Sequence, residues 1–298
     1  MQNNYFLGFV LVVISGLVWS LAAPLIRFLE DAEHYRLPFL VYRGTTICLV
    51  VIAYVLLREG RNFINSLKRI DIWSFFGALV LSLAMFSWIY ALTTTSIAVS
   101  LLMLALSPIL SAFLGFLILR ERLSRVTLVN MVIVVVGVVI MVWGVEESST
   151  IIGVIYGFFV ALSFSIYTIT LRHNPEVPKL LTPALGGFFS VIIASVLLVA
   201  TGTSFEMPEI NIGISFIHGI VIGVGLILFG LGAKYLPSGE LVLLTLLEVV
   251  AGIFWAWLPI IGINETPETN TLIGGLLILT AIVIQGVATR KQHIIPMP

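Results

Sequence analysis

Leu236 to Pro259 reads LPSGELVLLTLLEVVAGIFWAWLP, an apolar stretch long enough to cross a bilayer with Glu248 near its middle. A carboxylate left alone in hydrocarbon costs about 3 kcal/mol or more, so it faces a bundle interior or a wet cavity and is a functional candidate by default. Glu248 lies about 12 positions into this span, and at about 1.5 Å per residue that puts it close to 18 Å from one end, near the bilayer midplane. Separations of four and seven place Gly252 and Trp255 on its helical face, with Leu244 and Leu241 on the other side along the axis. A carboxylate, a small residue and an indole thus share one wall. Burial favours the neutral form of such a group, and water, a substrate ammonium or Arg43 favours the charged one. The competing reading is a structural Glu held by a hydroxyl of a neighbouring helix or by Arg43. Glu240, nearer the end of the stretch, is read as interfacial.

The remaining sequence supplies the interior. Of 298 residues, 59% are hydrophobic and 10% charged, with mean hydropathy +1.14, a balance that no water-exposed globular surface accommodates. Apolar segments of about 20 residues satisfy their backbone only as helices, and these blocks lack the alternation of barrel strands, so the fold class is an all-α integral membrane protein. Net charge is zero, which gives no basis for binding nucleic acid, and no polar stretch is long enough for a separate soluble domain. The single cysteine, Cys48, excludes an intrachain disulfide and is read as a packing residue. The N-terminal span has no basic flank or cleavage signal and is read as a retained helix.

Apolar blocks between polar breaks predict ten spans, near 6–27, 38–57, 72–91, 96–119, 126–144, 151–171, 181–201, 212–232, 236–259 and 271–289. The third and fourth are joined only by the turn at Thr93 to Thr95, and the eighth and ninth only by Lys234 to Pro237, which predicts two tight hairpins. Of the fifteen Lys and Arg residues, twelve fall on one side of this topology, Arg27 and Arg36 on the other, and Arg43 inside a span. That bias places both termini in the cytoplasm.

Gly8 to Arg27 matches Gly153 to Arg172 at an offset of 145, pairing Trp19-Ser20 with Phe164-Ser165, and the same offset pairs Pro38 with Pro183. Five spans per copy is odd, so the second copy enters the membrane from the opposite side. The expected organisation is therefore two inverted five-helix repeats, 1–145 and 146–298, with a solute site between them near the midplane.

Other candidates are fewer. Arg43, about 8 Å inside the second span, is within snorkelling reach of the interface. Its rival roles are counter-ion to Glu248 or anchor for a substrate carboxylate. His218 sits at similar depth in the eighth span and takes up a proton near physiological pH, or else packs and hydrogen-bonds. Trp19, Trp88, Trp255 and Trp257 map to one half of the membrane, where they line a vestibule or belong to the interfacial belt, whereas Trp73 and Trp143 suit the belt. On the fourth span, Ser100, Leu104, Ser107 and Ser111 share a face beside Pro108, a pattern of close packing and a bend. No HExxH motif and no Cys/His cluster is present, so neither a metal nor another cofactor is expected.

Tyr90-Ala91-Leu92, Ser107-Pro108 and Arg120-Glu121, followed in the second half by Leu247-Glu248, Trp255, Trp257 and Glu265-Thr266-Pro267, resemble the motifs of the drug/metabolite transporter superfamily, specifically its EamA-type ten-helix members. Two departures stand out. Arg120 replaces the usual glycine before Glu121, and the run from Trp257 to Glu265 is longer than the usual form, with Pro259 inside it. The resemblance implies a multi-pass carrier of the cell membrane working by alternating access, often an exporter of amino acids or related metabolites, with Tyr90 added to the substrate-pathway candidates. A proton or other ion is the candidate coupling partner, since no nucleotide motif appears. Metabolite uptake by the same fold is the alternative. A polytopic membrane enzyme is the weaker one, because only scattered Glu248, His218 and Arg43 are available to it.

Overall fold

A computed structural model describes residues 2–120, 125–143, 148–174, 178, 180–232, 235–236 and 238–294. It is a bundle of helices, with no strand among the described residues. In chain order these are α1 (Gln2–Ser20), α2 (Ala22–Leu25), α3 (Arg36–Glu59), α4 (Phe63–Leu67), α5 (Ile72–Thr94), α6 (Ile97–Leu104), α7 (Ser107–Leu119), α8 (Arg125–Val142), α9 (Ser148–His173), α10 (Leu181–Thr201), α11 (Glu209–Gly232), α12 (Ser238–Trp257) and α13 (Thr269–Ile294). Among the described residues, seven helical stretches are long and apolar enough to cross a membrane. Shorter apolar stretches run over Arg125–Met141, Leu247–Trp257 and Thr269–Ile284.

The helix ends follow from local chemistry. Asp71 and Ser74 form a reciprocal capping box at the start of α5, with the Ser74 amide donating to Asp71 Oδ1 at 2.9 Å. The Ser96 hydroxyl accepts from the Val99 amide at 3.1 Å and starts α6, so the turn expected at Thr93 to Thr95 is present. Of the second expected hairpin, Lys234 and Pro237 lie outside the described residues, as do Glu121 and the side chain of Glu240. Within the apolar blocks, hydroxyls such as those of Ser82, Thr46 and Ser15 donate to backbone carbonyls, which hides their polarity from lipid.

Two of the expected spans are interrupted. The fourth breaks at Ala105-Leu106, where Pro108 lacks the N–H needed to continue the helix and instead opens α7. The first breaks at Leu21, and the Ser20 hydroxyl turns back to the Leu17 carbonyl at 2.7 Å. The sequence reading runs this span straight through to Arg27. The interruption follows from Pro24, which has no amide to donate to the Ser20 carbonyl.

At the end of α7, Arg120 has a left-handed backbone with φ of 56°. This explains why glycine is usual at that motif position, since a side chain there costs about 1 kcal/mol. Arg120→Gly is therefore expected to raise stability by about that amount, read as a higher Tm of the purified protein in detergent.

Packing places α5 on α9 and α10, α3 on α10 and α11, α1 on α11 and α12, α6 and α7 on α9, and α13 on α8 and α12. At two of these crossings glycine faces glycine. A Cβ built on Gly44 would lie 2.8 Å from the Gly187 carbonyl oxygen, and one on Gly187 would lie 2.9 Å from that of Gly44. Gly137 and Gly274 make the same reciprocal contact between α8 and α13. The main apolar core gathers around Phe39, Leu40, Ile89, Leu92, Ile97 and Leu101.

Candidate functional site

The helix that carries Glu248 packs against both interrupted spans, on α1 and α2 on one side and on α6 on the other. A Cβ on Gly16 of α1 would lie 3.5 Å from the Leu244 carbonyl oxygen and 3.7 Å from the Glu248 amide, so α1 runs close beside the turn that bears the carboxylate. One turn further on, Gly252 lets α12 approach the first break. A Cβ there would meet Leu101 of α6 at 2.6 Å and the Ser20 carbonyl oxygen at 3.4 Å. The Trp255 indole N–H donates to the Ser20 hydroxyl at 3.0 Å. Of the three residues that share a face in the sequence, Gly252 and Trp255 meet Ser20 where α1 ends, and Glu248 lies beside Gly16 one turn earlier.

Glu248 itself is only half-buried, and among the described residues no ion pair or hydrogen bond engages its carboxylate. The pairing with Arg43, one of that residue's rival roles, is not formed. Arg43 is 3% exposed on α3 and donates from Nε to Nδ1 of His218 on α11 at 3.1 Å, with Phe39 edge-on to the imidazole at 5.5 Å between centroids. The snorkelling reading of Arg43 fails for the same reason, because its guanidinium points into the bundle.

The aromatic candidates separate. Trp88 is 7% exposed and belongs to the apolar core, which removes it from a vestibule. Trp19 packs its indole directly over Gly225, stacks at 5.5 Å on Phe229 and donates to the Ile222 carbonyl at 3.3 Å, a helix-to-helix contact between α1 and α11. Tyr90 is half-buried, lies 5.2 Å from Tyr156 and carries the Arg36 guanidinium 4.7 Å over its ring. Trp257 is exposed, as a lipid-facing or interfacial residue is.

A cluster that the sequence reading does not assemble closes one end of the bundle. Arg27 donates from Nε to Glu265 at 2.9 Å, from Nη2 to the Thr95 carbonyl at 2.7 Å, and from Nη1 to the Leu92 carbonyl. The other Glu265 oxygen accepts from the Ile97 amide, the first residue of α6. One ion pair thus ties the end of the first span to the α5–α6 turn and to the loop after α12. The nearby loops are linked as well, since Asn211 and Glu30 exchange two hydrogen bonds at 2.9 and 2.8 Å. The available signal was positional: Arg27 and Glu265 are the charges that bound the first and ninth spans at the same end.

Because Arg27 and Glu265 are each about a quarter exposed and Arg27 donates three hydrogen bonds, one of them to Glu265, Arg27→Gln should cost about 2 kcal/mol in unfolding of the purified protein. Breaking the other ion pair by Glu33→Gln should cost under about 1 kcal/mol, since Glu33 is 66% exposed. Equal losses from the two variants would contradict this ranking.

Residues 6–143 match the EamA-like transporter family. The match covers 138 of the 298 residues, just under half of the chain. The chain is 25% identical over 227 residues to an uncharacterized transporter of Clostridium kluyveri, covering 73% of this chain and 72% of the relative. It is 24% identical over 240 residues to the uncharacterized transporter YojE of Bacillus subtilis, covering 77% and 78%. A third relative, an uncharacterized transporter of Helicobacter pylori, is 26% identical over 221 residues, covering 72% and 70%. One solved crystal structure superposes over 98% of this chain and 99% of its own with a TM-score of 0.63 at 17% identity, which shows a shared fold. The matched family and these relatives point to a transporter, and the apolar helices to a multi-pass membrane protein.

Proposed function

We propose that this transporter is a secondary carrier that moves a small organic metabolite, an amino acid or related solute, out across the inner or plasma membrane by alternating access. The observation that carries the proposal is Glu248. It is a half-buried and unpaired carboxylate on α12, beside the points where α1 and α6 end in mid-span. Interrupted helices bring backbone groups to membrane depth, which is tolerated where they line a cavity or are buried in protein, and such breaks mark solute sites in carriers. A carboxylate that gains and loses a proton there couples solute movement to a proton gradient.

The packing supports two inverted five-helix halves, 1–145 and 146–298. Exchanging the first five spans with the second five turns the contact of α5 with α9 into that of α11 with α1. It turns α3 with α11 into α10 with α5, and α1 with α12 into α9 with α6 and α7; every one of these pairs is packed. The crossings α3–α10 and α8–α13 map onto themselves and hold the reciprocal glycine contacts, as crossings on a two-fold axis would. Helices α3 and α10 also begin at Arg36 and Leu181, the 145-residue offset of the sequence repeat.

The carrier proposal is tested by reconstituting the purified protein in liposomes and comparing, without targeting, the solutes it moves with and without a pH gradient. Saturable flux of one solute class that responds to the gradient is expected, whereas a steady ionic conductance would overturn the proposal in favour of a pore. Orientation is tested separately in a Cys48→Ala background. A cysteine at Glu206 should react with an impermeant external reagent and one at Lys68 should not; the reverse pattern would place the termini outside.

A further inference from the structure

We propose that the Arg43–His218 pair forms an anion-binding site inside the bundle, separate from Glu248. Arg43 is seven residues into α3, about 10 Å along the helix axis from its start, and is 3% exposed. His218 is wholly buried on α11. A guanidinium does not lose its proton in a protein, so it brings a full positive charge to this depth. Among the described residues the ion pairs are Arg27 with Glu265 and Arg36 with Glu33, and neither involves Arg43. Among the described residues the guanidinium's hydrogen-bond partner is the neutral acceptor Nδ1 of His218, at 3.1 Å, and the Phe39 ring packs edge-on against that imidazole. A buried charge without a counter-charge is among the costliest features a fold can carry.

The hydrogen-bond directions identify what is missing. Arg43 Nε–H donates to His218 Nδ1, so that nitrogen carries no proton and the neutral ring holds its proton on Nε2. His218 Nε2 and Arg43 Nη1 are both fully buried and have no partner. Arg43 Nη1 is therefore an unmatched donor beside an unmatched positive charge, and a small anion would satisfy both together, while His218 orients the guanidinium through Nδ1 and carries its own unmatched donor on the far side of the ring.

The repeat shows that the fold does not need this pair. The helices equivalent to α3 and α11 in the other half are α10 and α5, and neither contains a lysine, an arginine or a histidine. Gly219 brings α11 against the Arg43 carbonyl and Thr46, so the pair sits at a close crossing where an occupant would be held by both helices. The chemistry fits a halide from the medium or the carboxylate of an organic solute, and the arms of the test separate these sources.

Thermal unfolding of the purified protein in detergent would be followed while HEPES, a bulky sulfonate, is replaced at constant ionic strength by chloride or by acetate, with acetamide as the neutral counterpart of acetate. A saturable rise in Tm with chloride alone assigns a halide site, and one with acetate but not acetamide assigns a carboxylate site. A rise with both supports an unselective anion site. In Arg43→Gln and His218→Gln the apparent affinity should fall by about tenfold or more, the loss of one charge-assisted hydrogen bond. No saturable response of the unaltered protein to either anion, or an equal response to acetamide, would overturn the proposal. This measurement needs no variant to fold, and it reads binding rather than flux, so its failure would leave the carrier proposal standing.

Discussion

Replacing Glu248 by Gln is expected to leave a protein that inserts and melts like the wild type but moves its solute about tenfold more slowly or without response to pH. Glutamine keeps the length and most of the hydrogen-bonding capacity of glutamate and removes the change of charge. The local packing makes this a clean substitution. Gly16 of α1 lies against the backbone around residue 248, and no side chain among the described residues relies on the carboxylate for an ion pair or a hydrogen bond. The readout is flux into liposomes across a range of pH, together with Tm in detergent. Wild-type flux with the wild-type pH profile would make Glu248 structural. A large fall in Tm would show instead that the carboxylate holds the bundle together.

The largest loss of stability should come from Gly44→Leu. The Cβ alone would lie 2.8 Å from the Gly187 carbonyl oxygen and 3.0 Å from a methyl of Val191. A backbone oxygen in a helix cannot step aside as a flexible side chain can, so α3 and α10 must separate along their crossing. Overfilling of this kind costs about 3 kcal/mol or more, and in a membrane it also removes the close approach that small residues exist to permit. Gly213→Ala is the matching control. A Cβ on Gly213 meets nothing within 4 Å, and alanine is the better helix former by up to about 1 kcal/mol, so this variant should be neutral or slightly stabilised. The comparison requires only unfolding in detergent and the yield of monodisperse protein.

Much of the architecture was legible because hydrocarbon imposes a simple code. Apolar blocks of fixed length, a threonine turn and Pro108 announce the helices, one hairpin and one bend, which the structure makes a break. The other break was hidden, because Leu21 to Leu25 is as apolar as its surroundings and only Pro24 marks it. For the site, helical spacing brought Glu248, Gly252 and Trp255 to one face, and the structure adds Ser20 and Leu101, which meet that face from helices far away in the chain. Long-range pairs were not legible. Arg43 meets His218 across 175 residues and Arg27 meets Glu265 across 238. Periodicity within one helix does not say which helix lies opposite. Depth alone made Arg43 a plausible partner for Glu248, and only the packing of α3 on α11 decides otherwise. The contacts of Trp19 and Trp88 were not legible for the same reason, since the side of the membrane a ring occupies does not reveal which helix it covers.

The reciprocal contacts of Gly44 with Gly187 and of Gly137 with Gly274 bear on motion as well as packing. In two halves that rock about a common axis, displacement is zero on the axis and grows in proportion to distance from it. If the halves pivot where these glycines meet, the contacts are fulcrums, free to be tight because nothing there has to slide. The Arg27–Glu265 tie joins the two halves at one end of the bundle, and it would have to break and re-form if that end opened. A covalent crosslink across α3 and α10 would then be tolerated through the transport cycle, while the same crosslink between residues 27 and 265 would arrest it.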